Sequence, residues 1–235
     1  MQLERGTVHL FYRPRVERPH PATLEDVQRT LFALVPENGT AARLIAIGRK
    51  RIPRAGDSDP RFWGWVDAVA KTPEELEPAL CERRYMTKTR GERHLPECRR
   101  FADGVYTLES HGTHTHLLWR LDPARHRSGP AAELAAESEA DFIVAVVNPA
   151  TLEAIEIDIE RGEEAEARLH LVTPFPRRLQ DRFGDRRFTT LDPPEFLDYE
   201  GAELIFIAVP KKSRRRVKVE RAELGKAGEV EFGVG

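Results

Sequence analysis

Histidine is concentrated in one short stretch of the chain, YTLESHGTHTHLLWRL, at residues 106–121. Three of the eight histidines, His111, His114 and His116, fall within six positions there. Imidazole is the side chain that exchanges protons near neutral pH, and it is also a common metal ligand. The spacing therefore makes acid–base or metal chemistry the first hypothesis for this protein.

Two conformations fit this stretch. In the first, residues 105–121 form one strand, so that His114 and His116 face one side and His111 faces the other. In the second, His111-Gly112 is a two-residue hairpin turn, since histidine and glycine tolerate the positive φ that such a turn requires. The hairpin is favoured because a strand of this length, interrupted by glycine, would be unusual.

The hairpin hypothesis predicts which side chains share a face. Directly opposed residues of an antiparallel pair lie on the same face. Pairing Glu109 with His114 and Thr107 with His116 places a carboxylate beside an imidazole, on the face away from the core. A carboxylate fixes the tautomer of a neighbouring imidazole, as a general base or a metal ligand requires. The alternative is a solvent-exposed hairpin whose histidines have no chemical role.

A basic segment, YMTKTRGERHLPECRR at residues 85–100, leads into the histidine stretch. It contains Lys88, Arg90, Arg93 and His94. Arginine binds phosphate through paired hydrogen bonds and imidazole transfers protons, so the two segments together indicate phosphodiester chemistry. The alternative is an arginine-rich surface that is paired with nearby acids.

Two further segments, GRKRIP (48–53) and RFWGWVD (61–67), extend this hypothesis toward a polyanion. The first would lengthen a basic groove, and the two tryptophans of the second would share one strand face on which bases could stack. Paired tryptophans are more often core or interface residues. The predicted substrate-binding residues are Arg90, Arg93, Arg49, Lys50, Arg51, Trp63 and Trp65.

The bulk composition excludes several classes of protein. The formal net charge is −2, so the chain has no overall nucleic-acid signature, although residues 43–100 hold 14 Lys and Arg against nine Asp and Glu. Cys81 and Cys98 are too few for a disulfide framework. The apolar runs are short and no signal peptide is evident. We therefore expect a reduced, cytoplasmic setting and no membrane partner.

The hydrophobic patterns predict an α+β fold, a mainly antiparallel sheet with three or four short helices in one or two lobes. Asn-Gly in ENGT predicts a hairpin over residues 29–52. DFIVAVVNP, AIEIDIE and GAELIFIAVP are typical of strands, and TPEELEPAL of a helix start. The predicted division is a β-rich lobe (1–130) with the basic segment and histidine hairpin, a second α/β lobe packed on it (131–209), and a basic tail or terminal hairpin (210–235).

Two resemblances accompany these patterns. His111-Gly112-Thr113, followed by apolar residues, resembles half of the 2H phosphoesterase pattern, but a second matching motif is absent, so no residue role follows. The run from IGRKRIP through RFWGWVD, TKTRGERHLP and HGTHTHL to FLDYEGAELIFIA resembles a family of conserved prokaryotic proteins of no established function. This second resemblance implies one coherent unit over most of residues 29–208 and supplies no activity.

The principal hypothesis is a phosphodiesterase or nuclease-like hydrolase that acts on RNA, DNA or a nucleotide. In it, His114 is the general base oriented by Glu109, His116 is the acid or a co-ligand, and Lys88 holds phosphate. His94 is a further acid, base or ligand. In a metal-dependent version, His94, His114 and His116 would bind zinc or manganese. The alternatives are a non-catalytic nucleic-acid or nucleotide-binding protein, and a structural or interaction protein.

Overall fold

A computed structural model describes residues 1–39, 41–54, 56–122, 129–134, 137–154, 175–217 and 221–233. Within these residues most strands alternate between inward and outward side chains, with the period of two that β-structure imposes. In chain order the strands are β1 (Gln2–Pro14), β2 (Val27–Pro36), β3 (Ala42–Ile47), β4 (Arg61–Ala70), β5 (Arg83–Thr87), β6 (Gly91–Leu95), β7 (Arg99–Ser110), β8 (Thr115–Leu121), β9 (Glu139–Val147), β10 (Phe188–Thr190) and β11 (Glu203–Ala208).

Eight of these strands close into an antiparallel barrel. Neighbours pair in the order β9-β11-β4-β3-β2-β1-β7-β8, and the pairing of β8 with β9 completes the circle. Strand β10 adds to the end of β9, and β5 and β6 form a separate two-stranded hairpin. Closure removes the free edges that an open sheet of these strands would have.

The predicted α+β fold is therefore wrong. The helices of the described residues are too short to form a layer on a sheet, and none is long and apolar enough to span a membrane. The error has a physical cause, because the β4–β11 and β8–β9 pairings that close the barrel are non-local and no local pattern reports them. The α-helices are α1 (Glu77–Leu80), α2 (Pro130–Leu134), α3 (Arg177–Gln180) and α4 (Arg221–Ala227).

Several local predictions are confirmed. Residues 29–52 contain the predicted hairpin, in which β2 and β3 pair with Leu34 opposite Arg43. Most of β9 lies within DFIVAVVNP, and β11 lies within GAELIFIAVP. The predicted strand AIEIDIE lies outside the described residues, except for its first residue, Ala154. The predicted terminal hairpin through GKAG is instead helix α4.

Strands from both sides of residue 130 belong to the same barrel. Strands β9 and β11 lie between β8 and β4, so the segments predicted as two lobes share one set of hydrogen-bonded neighbours.

The barrel interior is packed with aromatic rings. Phe62 and Phe206 stack with their ring centroids 4.8 Å apart, and Phe32, Trp119 and Phe142 pack around them. Side chains fill eight-stranded barrels of this size. The side chains able to do acid–base chemistry lie mainly on the outer surface and at the rims.

One charged network enters the interior, at the rim where β1 begins and β7 ends. The buried Arg43 donates 2.7 Å hydrogen bonds to both carboxylate oxygens of Glu4 and to Asp198. The Tyr106 hydroxyl donates to Glu4 at 2.7 Å. Because these groups satisfy one another, the network closes this end of the core.

The C-terminal residues wrap over the outer face of the barrel. We call residues 209–217 and 221–233 the C-terminal strap. Val217 and Leu224 of the strap form a small apolar cluster with Val105 and Leu118. Farther along, the Phe232 ring packs on the Phe11 ring, with the centroids 5.1 Å apart. The predicted basic tail is therefore, where it is described, a covering element of the barrel.

Candidate functional site

The histidine stretch forms a hairpin, as predicted, but with a longer turn. Strands β7 and β8 pair with Glu109 opposite His116 and Ser110 opposite Thr115, so residues 111–114 make the turn. The pairing is displaced by two residues from the predicted one. Because side chains alternate with a period of two, the predicted faces are preserved: Glu109 and His116 point outward, while Leu117 belongs to the core.

The turn brings all three histidines together. The Thr113 amide donates to the His111 carbonyl at 2.9 Å, a three-residue turn centred on Gly112, whose φ of +76° favours glycine. The ring centroid of His116 lies 4.9 Å from that of His114 and 5.3 Å from that of His111. His111 therefore lies in the turn, as predicted, and its ring also belongs to the group of three imidazoles.

His116 is held by a carboxylate that was not among the predicted site residues. Its Nδ1 lies 2.5 Å from Oδ1 of Asp141 on the neighbouring strand β9, and the two side chains are 6% and 0% exposed. An ionised carboxylate only accepts hydrogen bonds, so Nδ1 carries the proton of the neutral ring. Nε2 then has a free lone pair, and no described residue hydrogen-bonds to it.

His111 is held by Arg215 of the C-terminal strap. Arg215 Nη1 lies 2.6 Å from His111 Nε2. A guanidinium can only donate, so Nε2 must accept, and the proton of His111 is on Nδ1. Glu109 lies near both groups, with Oε2 3.5 Å from His111 Nε2 and 3.7 Å from Arg215 Nη1. Glu109 therefore lies beside His111 and Arg215, and it does not orient His114.

His114 is the most weakly held of the three. Its Nδ1 lies 3.0 Å from the Thr113 hydroxyl. Desolvation lowers the pKa of His114, and the neighbouring His116, His111 and Arg215 lower it further, although Asp141 acts in the opposite direction. The surroundings of His114 therefore disfavour its protonated form.

These groups form a single site, which we call the rim histidine cluster. It combines two carboxylates, one guanidinium and three imidazoles at the rim where β7 ends and β8 begins. Its members are Glu109, His111, His114, His116, Asp141 and Arg215.

The predicted residues of the basic segment lie elsewhere. The His94 backbone bonds to Glu17, beyond the Pro14 end of β1, whereas Ser110 bonds to Met1 at the other end. The 13 residues of β1 separate these ends by roughly 40 Å at about 3.3 Å per residue. His94 Nε2 instead contacts Glu82 at 3.0 Å. The fold therefore does not bring His94 together with His114 and His116.

The other predicted residues of that segment lie with His94 in the β5–β6 hairpin. Lys88 and Arg90 are exposed in its turn, and Arg93 forms an ion pair with Glu17 at 3.4 Å. None of the three reaches the rim histidine cluster, because their hairpin is attached at the opposite end of β1.

The second basic segment is paired with acids. Arg49 bonds to Asp59 at 2.6 Å and Lys50 to Glu25 at 2.9 Å. Arg51 lies 3.5 Å from Asp57. This arrangement corresponds to the alternative reading of an arginine-rich surface paired with nearby acids.

Trp63 and Trp65 share the outer face of β4, as their spacing predicts. Trp63 packs near Phe188, with the ring centroids 6.2 Å apart. Trp65 lies under the Arg29 guanidinium and donates from its indole to Asp67 at 3.0 Å. Both rings are partly buried by these contacts, and they lie away from the rim histidine cluster.

The described residues contain no group of three or more His, Cys, Asp or Glu side chains arranged to hold a metal ion. Comparison of the chain with protein-family models, curated proteins and solved structures gives no match. The chemistry of the site must therefore be argued from its own geometry.

Sequence reasoning missed Asp141 and Arg215. Asp141 is the one acid in DFIVAVVNP, an otherwise apolar strand, and a lone buried carboxylate of that kind is a usable signal. Arg215 is one of several arginines in KKSRRRVK, and nothing in the sequence distinguishes it from its neighbours.

Proposed function

We propose that the protein is a phosphodiesterase or nuclease-like hydrolase whose reaction takes place at the rim histidine cluster. One observation supports this function above the others. His116, oriented by the buried Asp141, presents Nε2 without a described hydrogen-bond partner, in a cluster with a second imidazole and a guanidinium. This combination suits a phosphate ester that must be bound, attacked and cleaved.

His116 is the general base in this proposal. Its Nε2 accepts a proton from a water molecule as the water oxygen attacks phosphorus. Asp141 keeps the imidazole in the required tautomer and stabilises the positive charge that develops on the ring. This assignment exchanges the predicted roles of His114 and His116.

Arg215 and His114 act on the phosphate in this proposal. The Arg215 side chain is 44% exposed, so its remaining N–H groups can bind the non-bridging oxygens. The protonated form of His114 donates to the leaving oxygen as the phosphorus–oxygen ester bond breaks. The products are a phosphomonoester and an alcohol, and proton exchange with water restores both imidazoles.

The test is hydrolysis of bis(4-nitrophenyl) phosphate and of a single-stranded RNA oligonucleotide by the purified protein. His116→Gln should lower kcat by about 10²- to 10⁴-fold, the usual contribution of a general base. His94→Gln is the matched control, since it removes an imidazole that lies outside the cluster. It should retain kcat within about twofold.

Two outcomes would overturn the proposal. Equal losses in the two variants would place the reaction elsewhere. An absence of turnover, together with nucleic-acid binding that weakens steeply with salt and survives His116→Gln, would favour the non-catalytic binding protein instead.

A further inference from the structure

Arg215 of the C-terminal strap joins two parts of the rim histidine cluster. Its backbone N–H donates to Oδ2 of Asp141 at 2.9 Å, while its guanidinium donates to Nε2 of His111 at 2.6 Å. One residue therefore contacts both the carboxylate that orients His116 and the imidazole at the start of the turn. The position of the strap backbone at residue 215 decides whether both contacts form.

The preceding residue, Arg214, fixes that position. Its side chain is 11% exposed. Nε donates to the Val209 carbonyl at 3.1 Å, Nη1 donates to the Glu139 carbonyl at 3.0 Å, and Nη2 pairs with the Glu137 carboxylate. These acceptors belong to the start of β9 and its approach, and to the start of the strap itself. Arg214 therefore fastens the strap to the strand that carries Asp141.

The geometry points to Arg214 as a positioning residue for the reaction, a role that rests on the proposed function. We infer that Arg214, without touching the substrate, holds the strap so that Arg215 sets the tautomer of His111 and fastens Asp141 behind His116. The strap is thus a part of the site contributed from the far end of the chain.

The neighbouring arginine offers a matched control. Arg216 has the same charge and lies two residues farther along the strap, but its side chain is 80% exposed and its contact with Glu139 is 3.5 Å long. Exposed ion pairs of this kind contribute little to structure. Removing Arg216 changes the charge of the strap by the same amount as removing Arg214, without releasing the strap.

The experiment compares Arg214→Gln, Arg214→Lys and Arg216→Gln in the full-length protein. The first readout is the long-range ¹H–¹⁵N spectrum of the imidazoles, which reports the tautomer of His111. The second is kcat/KM for bis(4-nitrophenyl) phosphate. Arg214→Gln should convert His111 from the single Nδ1–H form to a tautomer mixture and lower kcat/KM by about 10- to 100-fold. Arg216→Gln should change neither, and Arg214→Lys should recover part of both.

The two readouts separate the possible failures. An Arg214→Gln variant with an unchanged His111 spectrum and unchanged kcat/KM would overturn the inference, even if its unfolding midpoint falls. If the wild-type protein does not hydrolyse the diester, the proposed function fails. The His111 spectrum of the variants then still decides whether Arg214 positions the cluster.

Discussion

Two imidazole–carboxylate pairs lie on the outer face of the same barrel, and they differ in whether both ring nitrogens of the histidine have protein partners. His9 Nδ1 is 2.8 Å from Asp103, and His9 Nε2 is 2.8 Å from the Thr7 hydroxyl, so both ring nitrogens have protein partners. His116 Nδ1 is 2.5 Å from Asp141, and its Nε2 has no partner among the described residues. The first pair has no nitrogen to offer a substrate, whereas the second has one.

The surroundings explain the difference. The strap covers His9, since the Phe232 ring packs against it with the centroids 4.8 Å apart, and Arg100 bonds to the Ala227 and Val230 carbonyls. At the rim histidine cluster the strap contributes Arg215 beside the histidines, and the His111 side chain remains 25% exposed there. The same pair of side chains is therefore a structural anchor in one place and a candidate catalytic group in the other.

The largest expected effect concerns turnover. Asp141→Asn should lower kcat by about 10²- to 10⁴-fold, because the amide no longer fixes the tautomer of His116. Asp103→Asn, where the protein remains folded, should change kcat by less than about threefold, since His9 does not contact substrate. Steady-state hydrolysis of the model diester checks both values, and a similar loss in both variants would remove the distinction between the pairs.

For stability, in contrast to turnover, the larger effect is expected from the His9–Asp103 pair. Asp103→Ala leaves Arg100 buried without its carboxylate, so the free energy of unfolding should fall by about 3–5 kcal/mol. Asp141→Ala should cost about 1–3 kcal/mol, since its partners are a rim imidazole and one backbone amide. Urea denaturation at neutral pH measures both costs. A greater cost at Asp141 would contradict the structural role given to the His9 pair.

Glu203 is a half-buried carboxylate with no imidazole partner among the described residues, so it provides a third case to compare with the two pairs. Burial raises the pKa of Glu203 from 4.5 to about 7. Between these values the unfolded chain releases a proton that the folded protein retains, so stability is lost as pH rises. Glu203→Gln should therefore stabilise the protein by about 1–2 kcal/mol near pH 8, with partial exposure taken into account. Below pH 4.5 the gain should vanish, and urea denaturation at the two pH values checks this.

The smallest expected effect concerns His114. Because its pKa in the folded protein lies below 6.5, the unfolded chain binds a proton first as pH falls, and stability decreases on acidification. His114→Asn should reduce the loss of unfolding midpoint between pH 7 and pH 5. The two proteins should respond alike between pH 7.5 and pH 8.5, where the imidazole is neutral in both states. A steeper acid dependence in the variant would contradict the direction of the shift.

Local sequence patterns predicted much of the secondary structure, but they did not predict that the strands close into a barrel. The strands around GTVHLFYRP, DFIVAVVNP and GAELIFIAVP follow from alternation or continuous burial, and the 29–52 hairpin follows from its Asn-Gly turn. Barrel closure depends on β8 meeting β9, and on β4 meeting β11 across more than 130 residues. Such pairings are selected by the whole core, which no single window of sequence contains.

Only part of the candidate site could be predicted from the sequence, for the same reason. The hairpin, and the outward direction of Glu109 and His116, follow from alternation even with the pairing displaced by two residues. The placement of His94 beside this hairpin assumed that neighbours in sequence are neighbours in space, and the length of β1 separates them. Asp141 and Arg215 reach the histidines through β9 and the strap, which are distant along the chain.

The most direct test of the account is the response of each imidazole to a phosphodiester. Long-range ¹H–¹⁵N spectra, recorded while dimethyl phosphate is added, report each histidine separately. The account predicts saturable changes at His111, His114 and His116, and none at His9 or His94. Unchanged rim resonances at saturating diester, or equal changes at His9 and His94, would contradict the claim that a ring nitrogen without a described protein partner makes one of the two pairs a functional site.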